Sequence, residues 1–331
     1  MGSSTSSLVL LLVARIATAQ EPVFPTDSQE VLSGPQRVAG QVVRPGTRSM
    51  LPVPNVWVTL HRVGSDRAAP LDSIRADTDG HYAFDFTRTG DERAIYFVSA
   101  TYGGIAYFTP PLAHNTVRGE EAEIAVFDTT SAPVPISVRG HHLIVSAVDA
   151  VGTRSITEVY ELANDSSVTR VAPSGSEGPV WSAPVPPQAS SFRVSQGDVP
   201  AIAMRFADGR ASVYAPIAPG IKQLAFSYSM PASAFPLSIP IVRDTQILEV
   251  LIEEEKGTVS GAKLAEKAPV AIERRSFRRF LADDVPANSV SVIDLPAAGQ
   301  EQRIDPRFMI ALTIIIGGSM IFALARALRR R

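Results

Sequence analysis

Five histidines, and no cysteine, are what this chain offers for acid–base, nucleophilic or metal chemistry. Without cysteine there is no disulfide framework, iron–sulfur cluster, thiolate zinc site, cysteine nucleophile or lipidated N-terminal cysteine. His141 and His142 are adjacent. On a strand their rings point to opposite faces and cannot share one metal, so a surface or capping role is expected. Asp77, Asp79 and Gly80 suggest a calcium loop, but the further oxygen ligands and the closing glutamate do not follow, and a turn is expected instead. Ser260-Gly-Ala-Lys263 fits the S-x-x-K nucleophile pattern without the S-D-N and K-T-G motifs that accompany it, and Asn164-Asp165-Ser166 is a glycosylation sequon. The sequence shows no Ser-His-Asp spacing, H-E-x-x-H or Gly-rich phosphate loop. No catalytic, cofactor-binding or metal residue is assigned, and a non-enzymatic role is expected.

The most charged window is Glu273-Arg274-Arg275-Ser276-Phe277-Arg278-Arg279-Phe280. On a strand, Arg275 and Arg279 flank Phe277 on one side, while Arg274, Arg278 and Phe280 share the other. Either the arginine stems cover apolar surface, or the window contacts acidic lipid headgroups or an acidic partner. Trp57 and Trp181 are the side chains suited to stacking on a sugar ring, although a tryptophan in a β-sheet protein also serves as core.

The chain has 31 basic and 33 acidic residues, so no global field recruits nucleic acid, and 45% hydrophobic residues exclude a disordered polymer. Both ends carry apolar segments. Leu8–Val13 followed by Ala17-Thr18-Ala19 has the form of a secretory signal peptide over residues 1–19. Residues 308–325 are free of charge and long enough, at about 27 Å of helix, to cross a bilayer. Arg326, Arg329, Arg330 and Arg331 follow, which places the C-terminus in the cytoplasm and the bulk outside. Gly317, Gly318 and Ser319 in mid-span would let another helix approach closely.

Between the ends, short β-branched and aromatic runs recur with turn residues between them. In the first half strands are expected near Val38–Val43, Val56–His61, Asp72–Ala76, Tyr82–Phe86, Ile95–Tyr102, Ile105–Phe108 and Glu123–Phe127, with hairpin turns at Asp79-Gly80 and Gly103-Gly104. The order Gly40-x-Val42, Pro54-x-Val56-x-Val58-x-Leu60, Asp77-Thr78-Asp79-Gly80-x-Tyr82-x-Phe84 and Tyr96-x-Val98 resembles a carboxypeptidase regulatory-like domain. That resemblance implies a transthyretin-like or carbohydrate-binding-like sandwich, an extracytoplasmic module, and no activity. The second half is again strand-like, from His142–Val148 to Val290–Leu295, with a hairpin around Ala207-Asp208-Gly209. It looks similar to membrane-anchored bacterial proteins that carry a second sandwich after the first.

The expected organisation is a signal peptide (1–19), a flexible leader (20–36), a regulatory-like sandwich (37–128), a linker (129–136), a second sandwich (137–296), a juxtamembrane linker (297–307), a transmembrane helix (308–325) and a basic tail (326–331). The fold class is mainly β, two tandem sandwiches plus one helix. The expected role is a scaffold or accessory subunit on the outer face of a bacterial inner membrane, with no cofactor. Its expected partners are other membrane proteins or a multi-subunit complex, with the lipid bilayer around its helix. A glycan-binding module is the alternative. A row of exposed aromatics on one sheet face would favour carbohydrate, and an apolar or arginine-rich patch would favour protein.

Overall fold

The computed structural model describes residues 34–173, 178–195, 197–272 and 275–296. The signal-peptide, transmembrane and tail segments, with Gly317, Gly318, Ser319 and the terminal arginines, lie outside the described residues, as does Arg274. The chain is mainly β. Among the described residues there is no α-helix, only three single-turn 3-10 segments, and no helix is long and apolar enough to cross a membrane. The described residues fall into two compact units, 34–130 with 167–169, and 131–166 with 170–296.

In the first unit, strand Pro35–Pro45 begins within the expected leader and is the hub of one sheet. It pairs antiparallel with Met50–Pro52 and His81–Thr87, and parallel with Thr116–Arg118 and Ile124–Ala125. The second sheet runs Ala68–Arg75, Trp57–Val63, Ile95–Tyr102, Ile105–Phe108, antiparallel throughout. Val38, Val42, Val58, Leu60, Tyr82, Phe84, Tyr96 and Val98 are buried, and Phe86 of one sheet stacks on Tyr96 of the other. Period-two alternation produces this: the even residues of Trp57–Val63 go in and the odd ones out. Gly103 and Gly104, both at positive φ, close the hairpin that sets Tyr102 opposite Ile105.

Asp79-Gly80 does not close a hairpin. It links strands of different sheets, Ala68–Arg75 and His81–Thr87. The Asp77 carboxylate accepts the backbone N–H of Asp79 and of His81, fixing the corner, and Gly80 sits at φ 75° with its carbonyl accepting from Val42 N–H. A side chain there would meet the Val42 carbonyl at 2.7 Å, which is why the corner needs glycine.

The second unit is built on a seven-stranded sheet ordered Ser190–Val194, Gly220–Pro231, Thr153–Asn164, Ile136–Val145, Thr245–Ile252, Arg275–Val285, Ala265–Ile272. Only the pair Ile136–Val145 with Thr245–Ile252 is parallel. Two three-stranded sheets complete the unit, one around Arg210–Val213 and one around Ser289–Asp294. One core cluster takes Leu143, Ile156, Phe226 and Val250 from the large sheet and Trp181, Val213, Ile239 and Ile293 from the small ones, an arrangement consistent with a β-sandwich. Each of these side chains contributes about 1.5–3 kcal/mol by leaving water. Strand Thr153–Asn164 is buried on both faces, so its polar residues need partners.

Candidate interaction surface

The outward face of the four-stranded sheet in the first unit carries an exposed row of unlike side chains. Trp57 lies opposite Arg75 and Thr101, Thr59 opposite Ser73 and Ser99, His61 opposite Phe97, and Val63 opposite Ile95. Phe108 stands opposite Ser99 from the edge strand. Phe108 is 58% exposed, Trp57 49% and Val63 41%, large values for side chains of this size in a sheet. The rings are ordered by one another: His61 stacks on Phe97 at 5.0 Å, and Phe108 meets Phe97 edge-on at 5.7 Å. The Arg75 guanidinium lies 4.6 Å from the centre of the Trp57 ring and occupies one of its faces. Thr59 and Ser73 exchange a hydroxyl hydrogen bond at 2.9 Å.

His61 Nε2 and Ser99 Oγ are 2.8 Å apart, within nucleophile–base reach. Burial holds the imidazole below its ordinary value. Yet Ser99 is buried, no carboxylate among the described residues bonds the other ring nitrogen, and the neighbouring strand amides are committed to the sheet ladders. The pair fixes the His61 ring on the sheet and lacks the parts of an acyl-transfer site.

His141 and His142 do point to opposite faces, but both are interior, at 3% exposure each, not surface or capping residues. Each found a carboxylate in a neighbouring strand. His141 Nε2 meets Glu158 at 2.9 Å, and the same carboxylate accepts the hydroxyls of Tyr160 and Tyr228, both at 2.7 Å. Burial and the Glu158 charge hold both phenols well above their ordinary value. On the other face His142 Nδ1 meets Glu249 at 2.6 Å, and Glu249 also accepts from Arg279 at 2.5 Å. Burial opposes the Glu249 charge, but its interactions with His142 and Arg279 outweigh it and hold its carboxyl below the usual range. Glu161 nearby has no such partner among the described residues, and burial pushes it up to about 7 against a smaller opposing pull from His142.

The remaining motif residues are placed as follows. In the arginine-rich strand Phe277 and Phe280 are buried, Arg275 pairs with Glu253, Arg278 with Glu266, and Arg279 with Glu249. Trp181 is buried, unlike Trp57. Ser260 stands on strand Thr258–Gly261 and not at a helix start, and Asn164 of the sequon is buried with its amide bonded to the Ile217 carbonyl. Among the described residues no group of three or more His, Asp or Glu is placed to hold a metal ion.

The exposed face was within reach of the sequence, since Trp57, Thr59 and His61 alternate with buried neighbours. Phe97 and Phe108 join them only once the Gly103-Gly104 hairpin fixes Ser99 opposite Phe108. The comparison of this chain with models of known protein families and with curated protein sequences finds no match.

Proposed function

We propose that this is a non-enzymatic, membrane-anchored accessory protein with two tandem β-sandwich domains, the first of which binds a protein partner through the outward face of its four-stranded sheet. The observation that carries this reading is the group Trp57, Val63, Phe97 and Phe108 on one outward sheet face. An exposed apolar and aromatic sheet face with interspersed hydroxyls suits another protein surface. The resemblance to regulatory-like modules, the apolar segment 308–325 and the basic residues after it support an extracytoplasmic location on an inner membrane.

Carbohydrate is the second reading, favoured by the exposed indole of Trp57. Arg75 already covers one face of that ring, which leaves a single face for a sugar. The test is the double variant Trp57→Ser, Phe108→Ser of the full-length chain, purified in mild detergent. Both side chains are exposed, so thermal stability should hold while co-purifying proteins are lost. Unchanged co-purification, or loss of binding to polysaccharide alone, would reject the protein-partner reading.

A further inference from the structure

The other sheet of the first unit, built on strand Pro35–Pro45, carries a groove of about 710 Å³ on its outward face. That volume lies within the roughly 300–1,000 Å³ of ligand sites. Its floor is low because Ala39 stands directly opposite Ala83, with Gln41 opposite His81 one step further along. These residues alternate with the buried Val38, Val42, Tyr82 and Phe84, so their side chains face outward.

One rim comes from a break in a parallel pairing. Strand Pro35–Pro45 pairs first with Thr116–Arg118 and then with Ile124–Ala125, and between them the chain makes the single 3-10 turn Gly119–Ala122. The turn is pinned to the sheet. The Ala122 carbonyl accepts the Tyr82 hydroxyl at 2.5 Å, and Gly40 makes room for it, since a Cβ there would lie 1.9 Å from the same oxygen. Glu120 lies in the turn and Glu123 just after it; both are exposed and line the groove. Their carboxylates make no hydrogen bond or ion pair among the described residues. From the His81 side comes Asp77, whose Oδ1 accepts the N–H groups of Asp79 and His81 while Oδ2 stays open.

The nearest cations are engaged elsewhere or lie outside. Arg75 lines the groove, but its guanidinium donates to the Asn55 carbonyl at 2.7 Å and lies over the Trp57 ring. Arg37, beyond Ala39 on the same face, pairs with Asp85 at 2.5 Å. Arg118, beside Ala39 in the parallel pairing, is not part of the lining. The groove is therefore lined by an excess of negative charge. Among the described residues no group of three or more acidic or imidazole side chains is placed to hold a metal ion, so these carboxylates are spread along the rims and not gathered on a point.

We infer that this groove docks an extended basic segment of a partner protein, whose lysine or arginine side chains meet Glu120, Glu123 and Asp77. Charge complementarity selects such a segment, and the low alanine floor leaves space for its backbone between the rims. The groove and the aromatic face belong to different sheets, so this assignment does not rest on the binding role given to that face.

The test uses the full-length protein in non-ionic detergent and a fluorescently labelled Lys-Ala-Lys-Ala-Lys peptide, followed by anisotropy. Saturable binding with Kd below about 1 mM is expected at low salt, and it should weaken as salt is raised. Glu120→Gln combined with Glu123→Gln should weaken it about tenfold. Ala83→Leu, which fills the floor and leaves the charge unchanged, should weaken it comparably. Glu92→Gln, at an exposed carboxylate outside the groove, and Arg118→Gln should not weaken it. Circular dichroism of each variant checks that the sheet is intact. No saturable binding, full affinity in folded Ala83→Leu, or an equal loss in Glu92→Gln would overturn the assignment. Spermidine binding as tightly as the peptide would also overturn it, by assigning the groove to free polyamines.

Discussion

Glu158 is the most consequential polar side chain in the second unit. It is 1% exposed and accepts three hydrogen bonds, from His141, Tyr160 and Tyr228. Its removal strands three buried donors among Leu143, Leu224 and Phe226. A buried donor left without a partner costs about 1–3 kcal/mol, and three are stranded at once. Glu158→Ala should therefore destabilise the unit by roughly 5 kcal/mol, enough to unfold a domain of ordinary stability. Glu158→Gln keeps the shape and one acceptor oxygen, and should cost roughly 2 kcal/mol. Tyr228→Phe should cost about 1–2 kcal/mol, and combining it with Glu158→Gln should cost less than the sum by about 1 kcal/mol, because the two share one bond. Urea denaturation followed by far-ultraviolet circular dichroism measures all four. If Glu158→Ala loses less than about 1 kcal/mol, or the pair is strictly additive, the carboxylate does not organise this core.

The buried carboxyl of Glu161 makes a prediction of opposite sign. Its folded value of about 7 lies above its ordinary 4.5, so the folded form binds more protons between those values and stability falls as pH rises through that window. Glu161→Gln should relieve roughly 2–3 kcal/mol of that loss at pH 8 and flatten the profile from pH 5 to 7, which thermal melts across pH will read. In the first unit, Gly80→Ala places a methyl against the Val42 carbonyl at a left-handed backbone position. A loss of roughly 1–3 kcal/mol is expected in chemical denaturation, and a neutral result would contradict the role given to that corner.

Much of the strand layout was legible because alternation in short β segments reports directly on which side is buried. Ile95–Tyr102 and Ile105–Phe108 fall where their residues predict, and Trp57–Val63 shows the expected alternation. Strands Trp181–Pro184, Leu237–Ile241 and Ala265–Ile272 were not foreseen, since proline interrupts or ends each of them. Local composition cannot show that a proline faces away from the ladder at an edge or bulge. The Asp79-Gly80 corner misled for a related reason: a turn motif fixes local dihedrals but not the sheet to which the next strand goes. His141 and His142 read as polar surface because their carboxylate partners are remote in sequence, Glu249 lying more than a hundred positions away. The interaction face was legible only in part: Trp57, Thr59 and His61 alternate within one strand, but register between strands is what brings Phe97 and Phe108 beside them.

The binding role of that face is tested most directly by photo-crosslinking in cells. A photoreactive residue is placed at Phe108 or Thr59 on the face, and at Ile202, 94% exposed in the second unit, as a control. The face positions should each give the same discrete crosslinked protein, and the control should not. Absence of a product at Phe108 and Thr59, or the same product at Ile202, would contradict a partner bound through the four-stranded sheet.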